Sequence, residues 1–182
     1  MSRKYKFYDN KKVHFVSLAT VGWVDLFTRR IYFEVITDSF SYCIKHKGLI
    51  LNAWCIMTNH VHLIIRSEDK SLSGIMRDMK KFTSKELIKT IQEHPKESRK
   101  ERLLRIFEQA GQENKNNSYY QLWQQHNHPI ELSTNNMMNQ RLDYLHMNPV
   151  KAGFVKRPQD WLFSSAKNYA GLQGLLNLEL AL

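Results

Sequence analysis

The sequence predicts an α+β fold, in which a single domain is built from an antiparallel β-sheet with helices packed on one face. The first observation behind this prediction is the order of the periodic segments: strand, helix, strand, strand, helix and then further helix. The second is composition, because 182 residues with 42% hydrophobic and 12% aromatic side chains suffice for one packed core.

The first strand and the first helix follow from different hydrophobic periods. Residues 13–21 are rich in β-branched and aromatic side chains and are apolar at most alternate positions, which predicts a strand. Residues 29–46 carry apolar side chains at spacings of three and four, which predicts a helix. Gly48 then provides a helix stop signal.

A β-hairpin is predicted next. Residues 49–57 and 61–66 are two short apolar runs, and Thr58 and Asn59 between them are residues that favour a turn. Because the connection is so short, the two strands should pair antiparallel.

Two further helices are predicted. One begins near Ser71 or Ser73, either of which is a candidate N-cap, and runs to about residue 92. The other covers residues 134–146 with Ser133 as its candidate N-cap. It should stop at Asn148, because a residue that precedes proline is disfavoured in the helical region.

The remaining segments complete the predicted organisation. Residues 96–117 are highly charged and predict a surface helix followed by a polar loop, while residues 119–123 predict a strand and residues 160–169 a short terminal element. We therefore divide the chain into a basic leader (1–12), one domain (13–169) with a variable charged connection (94–117), and a C-terminal tail (170–182).

The net charge indicates an anionic partner. The chain has 27 Lys and Arg against 17 Asp and Glu, a formal charge of +10, which favours polyanions and nucleic acid first. Half of this excess lies between Arg77 and Arg105, where ten basic residues face five acidic ones. This stretch is either a solvated helical face or a surface that contacts phosphates.

Several classes of protein are excluded by features that the sequence lacks. No apolar run approaches the roughly 18 residues of a membrane span, and the basic N-terminus has no apolar stretch typical of a signal peptide. Cys43 and Cys55 form neither a CxxC motif nor a disulfide framework, which favours a reducing, cytoplasmic setting, and no membrane partner is expected. A phosphate-binding GxxxxGK[ST] loop is also absent.

The first constellation that could carry chemistry is His60-Val61-His62 on the second hairpin strand. A period of two places both imidazoles on one face of the sheet, about 7 Å apart along the backbone, with Val61 pointing into the core. Such a pair can hold a divalent metal if a third ligand arrives from elsewhere. The alternative is two strand histidines on a hydrated face.

The same spacing recurs in His126-Asn127-His128. Its middle residue is polar, and Pro129 follows, so a loop or turn is the better interpretation. A role in contacting DNA or in supporting the first constellation stays open.

The second constellation is Tyr144 and Asn148. Residues four apart share one face of a helix, and Asn148 lies at the last predicted turn. The alternative is that Tyr144 packs as a core aromatic residue and Asn148 caps the helix before Pro149.

In this order, the two constellations resemble the single-tyrosine HUH transposases of bacterial insertion sequences, the IS200-like superfamily, and most of all the REP-associated tyrosine transposases. His60-Val61-His62 is similar to the HUH motif of two histidines around a bulky hydrophobic residue. Residues 144–153 resemble the tyrosine helix and the NPV turn that closes it, and residues 122–124 and 160–165 resemble further landmarks. The resemblance extends from about residue 12 to residue 169.

The resemblance implies a ferredoxin-like or RRM-like nuclease sandwich that binds, cleaves and rejoins single-stranded, hairpin-flanked DNA through a 5′-phosphotyrosine intermediate. It implies Tyr144 as the nucleophile and His60, His62 and Asn148 as ligands of Mg²⁺ or Mn²⁺. The residues suit this chemistry, because neutral imidazoles leave the ion its full charge to polarise a phosphate. Related transposases often have glutamine where this chain has the shorter Asn148, and residues 94–117 look like an insertion.

The expected partner is single-stranded DNA with hairpin or repeat ends, bound by a monomer or a homodimer. The candidates for contacting DNA combine cations for the backbone with an aromatic ring for base stacking; they are Arg77, Lys80, Lys81, Lys85 and Trp123. Trp23, Tyr119 and Tyr120 are further stacking candidates, although each could instead belong to the core. The alternative functions are a catalytically inactive or domesticated DNA-binding protein and a hydrolase of small phosphoesters.

Overall fold

The computed structural model describes residues 6–114 and 119–181. Four strands form one antiparallel sheet in the order β2-β3-β1-β4, which confirms the predicted fold class. The strands are β1 (His14–Ala19), β2 (Ile50–Ile56), β3 (His60–Arg66) and β4 (Ile130–Glu131). The helices are α1 (Arg30–Lys47), α2 (Leu72–Glu93), α3 (Lys100–Gln112), α4 (Asn135–Lys151) and the short α5 (Ala166–Tyr169).

The helices cover both faces of the sheet. On the first face, side chains such as Val16 and Leu63 pack against α1 and α2 in the main core, as predicted. On the second face, Phe15 and Ile64 pack against Leu145 of α4. The prediction placed all helices on one face and is corrected here for α4. Phe15, Ala53, Cys55 and Ile64 form a smaller apolar cluster on the second face, and α4 covers it.

The starts of α2 and α4 are fixed by side-chain caps, with one correction to the prediction. The predicted cap Ser71 is right, since its hydroxyl accepts a hydrogen bond from the Gly74 amide at 3.2 Å. The cap of α4 is Thr134 instead of Ser133, and its hydroxyl accepts from the Met137 amide at 3.2 Å.

The predicted stop of α4 at Asn148 is wrong, because the helix continues to Lys151 with Pro149 inside it. Pro149 removes only one amide donor in the last turn. The Ala152 amide still bonds to the Asn148 carbonyl at 3.0 Å, and the Phe154 amide bonds to the Pro149 carbonyl at 2.9 Å beyond the left-handed Gly153. This extra turn keeps Asn148 inside the helix.

The predicted strand at residues 119–123 is not formed. Trp123 makes a single bridge to Thr20, and the edge strand β4 lies further on, paired with His14 and Phe15. The backbone of this segment bonds to β1 and its extension only at scattered points, among them the Gln124 amide to the Ala19 carbonyl at 2.8 Å. The segment therefore closes the β1 edge without a regular ladder.

The charged connection is anchored through one buried carboxylate. Glu97 accepts hydrogen bonds from the Tyr32 hydroxyl at 2.9 Å and from the Arg29 and Arg99 guanidinium groups at 3.0 Å each. Although burial opposes its ionisation, these bonds, those of Arg99 foremost, lower the pKa of Glu97 to about 2. The start of α3 is thereby fixed to α1.

The described parts of the leader and tail attach to the domain. The Asn10 side chain accepts a hydrogen bond from the Leu72 amide at 2.8 Å. In the tail, Leu176 joins the main core and the Glu179 amide bonds to the Leu51 carbonyl at 3.3 Å. Cys43 and Cys55 are both buried as free thiols.

Across the described residues, none of the helices combines the length and the hydrophobicity that crossing a lipid bilayer requires.

Candidate active site

The two histidines of the HxH motif lie together at the start of β3. Their ring centroids are 4.6 Å apart, on the sheet face that α4 covers. Val61 between them is fully buried in the opposite core. The predicted alternation is confirmed, and it brings two imidazoles to one spot.

The ring of His60 is oriented by the side chain of Asn59. The amide nitrogen of Asn59 donates to the Asp25 carboxylate at 3.1 Å and the Trp23 carbonyl at 3.3 Å, so its oxygen faces His60 and accepts from Nδ1 at 2.7 Å. Nε2 of His60 therefore carries the lone pair that a metal ion would use.

His62 is held by its cross-strand neighbour. Ser17 lies opposite His62 in the register of β1 and β3, and its hydroxyl is 2.8 Å from His62 Nδ1. The other ring nitrogen, Nε2, is buried and has no hydrogen-bond partner among the described residues. A buried nitrogen without a partner calls for an explanation, and a bound metal ion would supply one.

Burial keeps the two imidazoles neutral. It lowers the pKa of His60, and it lowers the pKa of His62 to about 3, with smaller contributions from the charges of His60 and Arg141. At neutral pH both rings are therefore uncharged, which is the form that binds metal ions.

Helix α4 brings the tyrosine and the asparagine to this pair. The ring of Tyr144 is 5.2 Å from that of His62, and the side chain is 41% exposed to solvent. One turn further along α4, the amide nitrogen of Asn148 is 3.5 Å from Nε2 of His60. All four side chains predicted from the two motifs thus converge from a single chain.

The donor set suits a loosely held divalent ion. Within the described part of the chain, no group of three or more His, Cys, Asp or Glu side chains is arranged to hold a metal. Two neutral imidazoles and the oxygen of Asn148, after rotation of its amide, would provide three uncharged donors and leave further coordination positions to a substrate. The buried Nε2 of His62, which has no partner among the described residues, fits a bound divalent ion.

The sequence interpretation missed three residues of the site. Ser17 and Asn59 orient the histidines, and Arg141 lies one turn before Tyr144 with its guanidinium 5.1 Å from the centroid of the Phe15 ring. The Tyr144 ring also contacts Phe15, at 6.1 Å. The available signals were a serine that interrupts the apolar alternation of the first strand and an arginine three residues before the tyrosine.

The residues predicted to contact DNA are not gathered at this site. Arg77, Lys81 and Lys85 are exposed on α2, which packs against the sheet face opposite the histidines. Lys80 instead points into the protein, where its ammonium donates to the Gln124 carbonyl at 2.6 Å. Burial lowers the pKa of Lys80 to about 8. Lys80 thereby holds the segment that closes the β1 edge.

The prediction that Trp123 stacks on DNA is corrected. Its side chain is 4% exposed, its ring stacks on Phe27 with centroids 6.0 Å apart, and its indole nitrogen donates to Thr83 at 3.0 Å. A ring enclosed on these sides has no face for a base, so Trp123 is a core residue.

The second histidine pair lies outside the sheet, as predicted. His126 and His128 are in the irregular segment before β4, with ring centroids 6.0 Å apart. The same spacing in the sequence therefore has different consequences on a strand and in a loop.

Comparison with known proteins agrees with this geometry. The family model described as "Transposase IS200 like" matches residues 8–146, a span that includes both histidines and Tyr144. The fold is similar to that of a solved REP-associated tyrosine transposase bound to a REP hairpin, with a TM-score of 0.62, 19% identity, and coverage of 100% of this chain and 94% of the other. A search of curated proteins gives no significant match. The chain belongs to the IS200-like transposase family.

Proposed function

We propose that this transposase binds, cleaves and rejoins single-stranded DNA, with Tyr144 as the nucleophile. The observation that carries the proposal is the position of Tyr144. Its half-exposed phenol ring is 5.2 Å from the ring of the buried His62, whose Nε2 has no hydrogen-bond partner in the described part of the chain. A core tyrosine would be enclosed, whereas this phenol is accessible to a DNA strand.

The proposed first step is an in-line displacement at phosphorus. The phenolic oxygen of Tyr144 forms a bond to phosphorus while the bond from phosphorus to the 3′-oxygen breaks. The phenolic proton passes through solvent to the departing oxygen, which becomes a free 3′-hydroxyl. The other DNA segment stays attached to Tyr144 through its 5′-phosphate.

Rejoining is the reverse displacement. A 3′-hydroxyl attacks the phosphotyrosine, the bond between phosphorus and the phenolic oxygen breaks, and Tyr144 regains a proton. One phosphodiester is exchanged for another through a phosphate ester of similar energy, so no nucleotide hydrolysis is needed.

His60, His62 and Asn148 are the residues that would hold a divalent ion. When bound, Mg²⁺ or Mn²⁺ would act as a Lewis acid that neutralises charge on the scissile phosphate. Arg141 adds a fixed positive charge on the same helix, one turn before the nucleophile, where it would attract the phosphate of a bound DNA strand.

The proposed substrate is single-stranded DNA beside a hairpin or repeat end. The formal charge of +10 favours a polyanion, and the similar solved structure holds a REP hairpin. An enzyme of this type would work in the bacterial cytoplasm at the nucleoid. One chain supplies all four side chains, so a monomer carries a complete site and a homodimer would carry two.

The direct test is incubation with labelled, hairpin-flanked single-stranded DNA and Mg²⁺ or Mn²⁺. We expect a protein–DNA adduct that survives denaturation, together with a fragment that ends in a 3′-hydroxyl. Tight binding without an adduct under either metal would instead indicate a catalytically inactive DNA-binding protein of the same family.

Replacing Arg141 with alanine is expected to slow single-turnover cleavage roughly tenfold, because a half-exposed cation beside the reacting phosphate is removed. Arg141→Lys keeps the charge and should recover part of the rate. Arg30→Ala, which removes an exposed arginine from α1, serves as the control. Equal cleavage rates for Arg141→Ala and wild type would show that Arg141 has no role in cleavage.

Replacing Ser17 with alanine is expected to raise the Mn²⁺ concentration for half-maximal cleavage by about tenfold. The variant leaves His62 Nδ1 without its partner, and such supporting bonds orient metal ligands. Ser39→Ala is the matched control, because Ser39 is also buried but lies on α1. An unchanged Mn²⁺ requirement would contradict the supporting role of Ser17.

A further inference from the structure

One exposed aromatic ring lies at the edge of the candidate active site. Trp23 is 58% exposed, and its ring centroid is 5.8 Å from that of His60, edge to face. Trp54 and Trp123 are by contrast enclosed in the main core. Trp23 therefore offers a ring face to solvent that Trp54 and Trp123 do not.

The backbone holds Trp23 in an unfavourable conformation. Its φ is +53°, in the left-handed region that bulky side chains rarely adopt, and it follows Gly22 at +63°. Two hydrogen bonds fix it: its amide donates to the Thr20 carbonyl at 3.1 Å, and its carbonyl accepts from the Asn59 side chain at 3.3 Å. Strain of this kind persists where the surroundings impose it, and it concentrates at functional sites.

The same contacts connect Trp23 to the histidine pair. Asn59 bonds to the Trp23 carbonyl through its nitrogen and to His60 through its oxygen. The order of ring contacts is Trp23, His60, His62, Tyr144, at centroid distances of 5.8, 4.6 and 5.2 Å. Trp23 and Tyr144 thus flank the histidine pair, each beside a different histidine.

We propose that Trp23 stacks against an unpaired base of the DNA strand, next to the phosphate that Tyr144 attacks. The inference rests on the proposed function, which places that phosphate at the histidine pair. A base adjacent to a phosphate held there comes within reach of a rigid, exposed indole at the site's edge. An aromatic face accepts any unpaired base, so this contact selects single-stranded over paired DNA without selecting a sequence.

The binding test uses the full chain carrying Tyr144→Phe, so that cleavage does not disturb the measurement. The probe is a fluorescent oligothymidylate of about 20 nucleotides, longer than one binding site. Trp23→Gly should weaken its binding about 5- to 150-fold, the effect of losing one stacked base, whereas Trp23→Phe should retain most of the affinity. Tyr42→Ala removes an equally exposed ring from α1 and should bind like the parent protein.

Two further measurements separate stacking from a structural effect. Trp23→Gly should unfold at a temperature no lower than the parent protein, because glycine adopts a positive φ freely and little buried surface is lost. On a strand of the same length that lacks all bases, Trp23→Gly and the parent should bind equally. Equal loss on both strands, or a lower unfolding temperature that accounts for the loss, would overturn the inference.

A failure of this inference can be distinguished from a failure of the proposed function. That proposal depends on the adduct formed by the wild-type chain, which is measured without any change at Trp23. If the adduct forms and Trp23→Gly binds oligothymidylate as tightly as the parent, the stacking inference alone fails.

Discussion

Tyr144→Phe is expected to abolish the covalent protein–DNA adduct and strand cleavage while leaving DNA binding unchanged. The substitution removes one oxygen atom, which is the atom that would bond to phosphorus. Another hydroxyl beside His62 is that of Ser17. The Ser17 hydroxyl is committed to His62. The loss of cleavage should therefore be complete and not partial.

The fold should tolerate this change. The Tyr144 side chain is 41% exposed, and its contacts with Phe15 and His62 are ring contacts that phenylalanine preserves. We expect the melting temperature to remain that of the wild type.

The measurement is denaturing electrophoresis of protein incubated with labelled single-stranded DNA and Mn²⁺, alongside fluorescence anisotropy for binding. Tyr42→Phe is the matched control, since it removes the hydroxyl of an exposed tyrosine on α1, which packs on the other sheet face. An adduct of undiminished yield in Tyr144→Phe would mean that another residue is the nucleophile.

The parts of this site that the sequence predicts are those set by local periodicity. A strand period of two places His60 and His62 on one face whatever their neighbours, and a helical spacing of four does the same for Tyr144 and Asn148. Neither spacing predicts that the strand and the helix lie side by side. Only the resemblance of the whole pattern to a transposase family indicates that they do.

The parts that the sequence does not predict depend on tertiary packing. Ser17 supports His62 only because β1 and β3 pair in the observed register, 45 positions apart in the chain. The burial of Trp123 and the placement of α4 on the second sheet face likewise follow from how the segments close on each other. Composition alone made Trp123 as good a stacking candidate as Trp23, and only their exposure separates them.

Replacing His60 and His62 together with alanine is expected to reduce metal-dependent cleavage by roughly a hundredfold or more, because the loss of a Lewis acid at the phosphate costs several kcal/mol. DNA binding should persist, since neither neutral histidine contributes charge. The measurement is single-turnover cleavage across a series of Mn²⁺ concentrations, with anisotropy for binding.

The chain itself offers the matched control for this experiment. His126→Ala with His128→Ala removes two histidines of the same spacing from an irregular segment, where their rings are 6.0 Å apart. We expect this variant to cleave like the wild type. If both double variants lose cleavage equally, the effect comes from the protein's general integrity and not from a metal site. If the His60 and His62 variant still cleaves with an unchanged Mn²⁺ dependence, the ion binds elsewhere, and the unpartnered nitrogen of His62 needs another explanation.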